Sequence, residues 1–242
     1  MGTTLCYVAK AAAGKLVMRV SAMEGYRLWA PLYDSGVNPL LALERRAMSD
    51  VLKHVAPRTM LDVACGTGRW LLHFQRAGPQ IIGCDACEQM LREAMKHACL
   101  RGCVVVGDAE DIPVASSFTD LVLCSVSLGY FRNLKQVFRE FARTARPGGF
   151  VAVSDMHPDA AAAGWTRSFK VGEQRYELEH YPRTLAEIDT AASNAGLRRK
   201  FRQEVYFGAP ELPIFERAGK KEAFTSLLRV PALFIGLWEN PC

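Results

Sequence analysis

Three aspartates frame what this chain can fold into. Asp62, Asp85 and Asp108 follow one another at a constant interval of 23 residues, each in an apolar run: TMLDVA (59–64), QIIGCD (80–85) and CVVVGD (103–108). A strand with one face in water alternates apolar and polar side chains. These runs are apolar on nearly every residue, the pattern of strands buried on both faces. The stretches between them carry apolar residues at helical spacing, and the interval leaves room for a strand, a turn and a returning helix. The pattern predicts an α/β fold, doubly wound around a mostly parallel sheet.

The alternation extends on either side. VNPLLALERRAMSDVLKHV (37–55) places Leu40, Leu43, Ala47, Val51 and Val55 on one helical stripe. RWLLHFQRA reads as a helix stopped by Gly78 and Pro79, and EQMLREAMKHACLR as a helix with Met90, Leu91, Ala94, Met95 and Ala98 on one face. DLVLCSVS (120–127) is a fourth strand. LKQVFREFARTA (134–145) is a helix with Asn133 as N-cap, and FVAVSD (150–155) is a fifth strand after the break Arg146-Pro147-Gly148-Gly149. SFKVGEQRYELEHY (168–181) reads as a hairpin turning near Gly172-Glu173. Thr184-Leu185-Ala186-Glu187 is a capping box opening a helix that ends at Gly196. KFRQEVYFG (200–208) is a sixth strand, ELPIFERAGKKEAFTSLLR is helical in pattern, and VPALFIGLWE (230–239) is a seventh strand.

A chain of 242 residues suits one large domain, expected over 24–242 with additions near 156–183 and 209–229. Residues 1–23 hold Lys10, Lys15 and Arg19 and no acid, with an apolar stretch too interrupted for a signal-peptide core; they are expected to form a flexible extension. No apolar run reaches the ~18 residues of a membrane span. Eight cysteines in a chain large enough to build its own core are expected to be reduced thiols in a cytoplasmic protein. Cys84 and Cys87 have the spacing of a zinc-ligand pair but lack a second matched pair, so no metal site is expected.

The chemistry concentrates in LDVACGTG (61–68). Open parallel sheets bind ligands beyond the carboxyl ends of their strands. Glycines there let backbone approach a ligand, and the following helix aims N–H groups at negative charge. Gly66 and Gly68 therefore suit a nucleotide-like or carboxylate-bearing ligand, and Asp85, closing the next strand, suits ribose hydroxyls. A dinucleotide enzyme shares these features. Its third glycine is missing here, however, and Leu71 stands in that place.

D-x-A-C-G-T-G, then G-C-D-A, G-D-A-E-D-I-P, D-L-V and R-P-G-G, in this order over about residues 20–200, resemble the class I S-adenosylmethionine-dependent methyltransferases, in the ubiquinone/menaquinone-type small-molecule subgroup. The resemblance implies a Rossmann-like methyltransferase fold: seven strands, mostly parallel, with an antiparallel last strand. It implies S-adenosylmethionine as cofactor. Backbone at Ala64, Gly66 and Gly68 would hold the methionine moiety, with Asp62 near its ammonium. Asp85, with Ala86 beside it, would take the ribose hydroxyls, Met90 would pack on the adenine, and Asp108 and Ala109 would bond the adenine edge. Cys124 and Ser125 would border the sulfonium. Tyr33, in EGYRLWAPLYD (24–34), would close over the methionine end.

In-line methyl transfer needs the acceptor held at attack distance and a base only if the acceptor must lose a proton. His157, in SDMHPD (154–159) beyond the fifth strand, is the expected base. Asp155, His157 and Asp159 lack the following Asp-Asn pair of metal-dependent O-methyltransferases. No Asn/Asp-Pro-Pro-Tyr follows the fourth strand, which argues against adenine-N6 and glutamine-amide acceptors. The basic run Leu197–Arg202 is expected to be the solvated start of the sixth strand rather than an RNA surface. Trp165, Phe169, Tyr176, Tyr181, Phe215 and Phe224 in the additions suit an apolar or aromatic small-molecule acceptor. RNA or protein methylation, or a non-catalytic methyltransferase-like subunit, are the alternatives.

Overall fold

The computed structural model describes residues 17–75 and 78–242. In chain order the elements are β1 (Val17–Val20), α1 (Ala22–Trp29), α2 (Pro39–Leu52), β2 (Thr59–Val63), α3 (Arg69–Gln75), β3 (Gln80–Asp85), α4 (Glu88–Ala94), β4 (Val104–Val106) and β5 (Thr119–Ser125). They continue as α5 (Leu134–Thr144), β6 (Ala145–Met156), α6 (Pro158–Ala162), β7 (Ser168–Val171), β8 (Gln174–Leu178), α7 (Leu185–Asn194), β9 (Arg198–Val205), α8 (Leu212–Arg217), α9 (Lys221–Leu227) and β10 (Leu233–Glu239).

Seven strands form the main sheet in the order β4-β3-β2-β5-β6-β10-β9. Strands β2 to β6 pair in parallel, and β10 runs antiparallel to both β6 and β9. The all-apolar runs do what their pattern requires. Successive residues point to opposite faces, so Met60 joins one core layer with Leu40, Leu43 and Trp70, while Leu61 joins the other with Phe138, Phe141 and Ile188. The chain leaves β2 toward β3 on one side and later returns to β5 on the other. That reversal opens a crevice at the carboxyl ends of β2, β3 and β5.

Several boundaries differ from the sequence reading. Residues 1–16 of the expected extension lie outside the described residues, but Val17–Val20 is a strand and Ala22–Trp29 a helix. Strand β1 pairs in parallel with β8, which pairs with β7, giving a second sheet of order β1-β8-β7. The helix after β3 stops at Ala94, and a short 3-10 turn over Ala98–Leu100 then drives Leu100 fully into the core. The stretch 146–149 does not separate helix from strand, because β6 begins directly at Ala145. Gly149 permits this: a Cβ there would stand 2.9 Å from Arg146 O and 3.1 Å from Asp120 O. The helical pattern 211–229 divides at Gly219, whose φ of +66° ends α8. Asn133 and the Thr184–Glu187 capping box cap their helices as expected.

Of the six aromatics in the additions, none lines the crevice. Phe169 stacks on Trp29 at 4.9 Å between ring centroids, and Phe215 packs between Phe207 and Phe224 in the core. The rings of the additions pack on one another and on neighbouring elements instead, as Phe169 does on Trp29 of α1. No helix among the described residues is long and apolar enough to cross a membrane.

Candidate active site

Beyond β2 the backbone enters the left-handed region at alternate residues: Ala64 (φ +57°), Gly66 (+57°) and Gly68 (+83°). This winds the loop tightly, with Cys65 N–H donating to Cys84 O at 3.1 Å and Gly68 N–H donating to Cys65 O at 2.9 Å. The two glycines serve different neighbours. Gly66 lines the crevice, where a Cβ would come 3.2 Å from Met90 Cε. Gly68 faces the protein, and a Cβ there would run into Leu100 at 2.5 Å.

The crevice is a cavity of about 370 Å³. Its floor holds Asp62 at the end of β2 with Ala64 and Gly66 from the turn beyond it, Asp85 closing β3 with Ala86 after it, Met90 from α4, and Asp108 and Ala109 from the loop after β4. Asp85 is oriented by backbone: Oδ2 accepts from Gly66 N–H and Oδ1 from Cys87 N–H, both at 2.8 Å. Each oxygen keeps a second lone pair for a ligand. Burial raises the Asp85 pKa above the usual carboxylate range, and these two N–H donors work against that. Asp62 is buried at 2% exposure. Its pKa stands well above the usual range, chiefly through burial, with Arg69 opposing and Glu44 and Asp85 reinforcing.

Behind Asp62 lies a charge network that the sequence reading missed. Glu44, on α2 and fully buried, accepts from Arg69 Nη2 at 2.7 Å and from the hydroxyls of Ser125 and Ser154 at 2.9 Å. Arg69 Nη2 also donates to Ser125 Oγ at 2.8 Å. Burial works against the Arg69 charge, but Glu44, with Tyr33 and Asp62, outweighs it and raises the guanidinium pKa further. Arg69 Nη1 is buried with no hydrogen-bond partner, on a side chain that lines the cavity. A signal was present in the sequence: Glu44 interrupts the apolar stripe of its helix, and Arg69 follows the glycine turn directly.

The opposite wall is aromatic. Tyr26 from α1, Tyr33 after it, and Tyr130 and Phe131 from the β5–α5 connection line the cavity. Tyr26 donates to the Tyr130 hydroxyl at 3.0 Å, their rings edge-on at 5.3 Å. Arg167, at 1% exposure, lies 4.5 Å over the outer face of Tyr130, pairs with Asp155 and donates to Val126 O at 3.1 Å. Val126 also lines the cavity at φ +55°, a costly conformation for a β-branched residue. Arg167 and the Ser154 carbonyl, which accepts from Val126 N–H at 2.8 Å, hold it there.

Known proteins place this site in a family. A profile described as a methyltransferase domain matches residues 61–153. The malonyl-[acyl-carrier protein] O-methyltransferase of Xylella fastidiosa (strain M23) is 33% identical over 133 residues, 52% of this chain and 45% of that protein. The malonyl-[acyl-carrier protein] O-methyltransferase of Dechloromonas aromatica (strain RCB) is 30% identical over 194 residues, covering 78% of this chain and 70% of that protein. The chain belongs to the class I S-adenosylmethionine-dependent methyltransferases. Its methyl donor is S-adenosylmethionine. A dTDP-3-amino-3,4,6-trideoxy-alpha-D-glucopyranose N,N-dimethyltransferase of Streptomyces venezuelae is 28% identical, covering 79% of this methyltransferase and 85% of that protein. An S-adenosylmethionine-dependent methyltransferase from Mesorhizobium loti shares the fold at TM-score 0.64 and 19% identity, over 81% of this chain and 97% of that one.

The methyltransferase brings Tyr33, Asp62, Ala64, Gly66, Asp85, Ala86, Met90, Asp108, Ala109 and Ser125 to one cavity. Two expected cofactor residues are absent from it. Gly68 packs on Leu100, and Cys124 points into the opposite core layer with Leu61 and Phe138. His157, expected as the base, is absent too. It is 3% exposed and caps α6, with Nδ1 accepting from Asp159 N–H at 3.1 Å. Its Nε2 is buried 3.7 Å from Glu204 on β9. Burial lowers its pKa, against the pull of Asp159 and Glu204. The reason is local: the Pro158 that follows starts a helix, and a side chain with an acceptor at that position turns back to cap it. Asp155 is likewise occupied by Arg167, and among the described residues no group of three or more His, Cys, Asp or Glu is placed to hold a metal ion.

Proposed function

We propose that the cavity binds S-adenosylmethionine along its floor and that the protein methylates a small, apolar or aromatic acceptor presented against Tyr26, Tyr33 and Tyr130. The observation that carries this reading is the charge complement of the cavity. A buried carboxylate, Asp62, and a half-buried one, Asp85, line the cavity with one buried unpartnered donor, Arg69 Nη1. A ligand with an ammonium, vicinal hydroxyls and a carboxylate satisfies all three, and leaving them unsatisfied in a closed site is costly. In this reading Asp62 takes the ammonium, Asp85 the ribose hydroxyls and Arg69 the carboxylate. The Gly66 turn gives backbone access, Met90 packs on the adenine, and Asp108 with Ala109 bonds its edge. Tyr33, beside Arg69, covers the methionine end, and Ser125 stands where the sulfonium would lie.

The bound cofactor supplies an electrophilic methyl on a positive sulfur. The residues of this chain supply position and exclusion of water. Among the described residues no histidine lines the cavity. That favours an acceptor atom that is already nucleophilic, oriented by the tyrosine wall, over one deprotonated by His157. The relatives named above act on a malonyl carboxyl and a sugar amine, by their names. The additions distinguish acceptors by shaping the wall rather than by adding rings to it. Basic residues of β9 pair with acids, Arg199 and Arg202 with Asp189 and Arg198 and Lys200 with Glu239, which does not favour a nucleic-acid surface.

Calorimetry with S-adenosylhomocysteine tests the reading. The wild-type chain is expected to bind, and Asp85→Ala to lose about 2–4 kcal/mol, because two ligand hydroxyls lose their acceptor in a closed site. Equal affinity in both proteins would overturn the assignment of the floor.

A further inference from the structure

On the outer flank of the main sheet, where α4 gives way to the edge strand β4, a groove of about 530 Å³ is lined by Cys99 and Cys103 with Ile81, Val104 and Val105. None of these residues lines the cofactor cavity. The chain folds back on itself here. Arg101 N–H donates to Ala98 O at 3.3 Å, Cys103 N–H donates to Leu100 O at 3.0 Å, and Gly102 between them takes φ +79°. The turn brings Cys103 Sγ within 3.7 Å of the Cys99 carbonyl, so both side chains leave neighbouring points of one turn for one groove. The other core cysteines differ. Cys65, Cys84, Cys87 and Cys124 are buried, and burial pushes their thiols up, Cys84 to about 12, which keeps them protonated and inert. Cys99 is exposed and Cys103 half-buried. Between the pair stands Leu100, fully buried, the residue that a Cβ on Gly68 would meet at 2.5 Å. Beyond Cys103 the chain runs through β4 to Asp108 and Ala109 in the cavity floor. This loop therefore touches the floor at two points.

We propose that Cys99 and Cys103 are a thiol–disulfide exchange site, closed to an intramolecular disulfide by a low-molecular-weight disulfide, and that closure unseats Leu100 and weakens binding of the methyl donor. Cys99, the more exposed sulfur, attacks one sulfur of the oxidant as its thiolate, and one half of the oxidant leaves. Cys103 then attacks the Cys99 sulfur, and the second half leaves. The two protein thiols are oxidised and the S–S bond of the oxidant is reduced. The two protons given up by the cysteines end on the two released thiols. Joining the sulfurs at about 2.05 Å draws the ends of the 99–103 loop together. A close-packed interior passes that shift through Leu100 to the glycine turn.

For the test, the full chain is equilibrated with oxidised glutathione, its remaining thiols are alkylated under denaturing conditions, and it is digested with trypsin. Trypsin cuts after Arg101, between the two cysteines, so the disulfide joins peptides 97–101 and 102–132, which are otherwise separate. The joined pair is expected, and dithiothreitol should part it. In calorimetry, S-adenosylhomocysteine should bind the oxidised protein ~5-fold or more weakly than the reduced one, a coupling that dithiothreitol reverses. Cys99→Ser/Cys103→Ser should bind as the reduced wild type does and ignore the oxidant, which separates the effect from any adduct on the exposed Cys242. Peptides recovered only apart, alkylated or carrying glutathione, overturn the disulfide. Equal affinity of the oxidised and reduced proteins overturns the coupling through Leu100, and so does a loss of affinity that persists in the double variant. The peptide map needs no ligand, so a reduced protein that fails to bind S-adenosylhomocysteine would count against the cavity assignment and leave the map to decide the exchange site.

Discussion

The floor and the aromatic wall of the cavity are built in opposite ways. The floor comes from the carboxyl ends of neighbouring parallel strands, and backbone N–H groups of adjoining turns set Asp85: Gly66 after β2 and Cys87 after β3. The wall is assembled from segments more than a hundred residues apart. Tyr26 reaches Tyr130, and Arg167, from the link between α6 and β7, pins Tyr130 and Val126 from outside. A floor made of turns is rigid and generic, suited to a cofactor that never changes. A wall held by one buried cation is adjustable by substitution in a segment that touches no cofactor.

The sharpest test of this contrast is Arg167→Met. It leaves Asp155 buried with its charge unpaired and removes the hold on Val126, so it is expected to destabilise the protein by about 3–5 kcal/mol in denaturant unfolding. The double change Arg167→Met/Asp155→Leu should recover much of that stability while leaving Tyr130 unpinned. If the single variant unfolds like wild type, the wall does not depend on its staple.

On the floor, Asp62→Asn removes the partner proposed for the ligand's ammonium and is expected to cost about 1.5–3 kcal/mol in S-adenosylhomocysteine affinity. It should also raise the stability of the free protein at neutral pH, because the buried charge it deletes is unfavourable there. The linkage has a definite sign. The Asp62 pKa of the free folded protein is raised, so its protonated form favours folding at low pH, and that contribution fades as pH rises through the folded pKa. Ligand binding needs the carboxylate. Affinity should therefore be complete above the raised pKa and fall on acidification, starting at a higher pH than an ordinary aspartate would give. Affinity that falls on acidification no earlier than an ordinary aspartate would give would remove Asp62 from the ammonium site.

The asymmetry between floor and wall also decides how much is legible in the sequence. Asp62, Gly66, Asp85 and Asp108 can be read because strand, turn and acid lie within ten residues of each other, and the period of the sheet repeats them. Gly68 is a required glycine, as its motif implies, but it stands outside the cavity lining; what requires it is Leu100, brought in by a 3-10 turn that the helical pattern of 88–101 conceals. Strand β1 is hidden for a related reason. Its four residues pair with β8 across more than 150 positions, and a short strand carries too little pattern to betray such a partner. The Glu44–Arg69 pair has meaning only once α2 is laid over the β2 turn.

Tyr130→Phe probes the wall more gently. The Tyr26 hydroxyl loses an acceptor at a half-buried site, at a cost of about 1–1.5 kcal/mol in stability, while S-adenosylhomocysteine affinity is expected to hold within about twofold because the floor is untouched. A large loss of cofactor affinity would show that floor and wall are one unit after all.

The smallest expected effect belongs to His157. As a helix cap it contributes one acceptor to the Asp159 N–H, so His157→Ala should cost ~0.5–1 kcal/mol and His157→Asn, which retains an acceptor at the cap, less. Its lowered pKa adds a signature that a cap alone would not give. The folded state resists protonation, so stability is complete above the unfolded pKa near 6.5 and is lost as pH falls through it toward the lower folded value. His157→Ala and His157→Asn should both flatten that part of the stability profile, leaving the share carried by His73 and His180, whose pKa values are also lowered. S-adenosylhomocysteine affinity should not change in either variant. Once an acceptor is in hand, turnover in His157→Asn should stay near wild type across the same pH range. A ~10²-fold fall with stability intact would return His157 to the reaction as a base and require the cavity to open toward α6 during turnover.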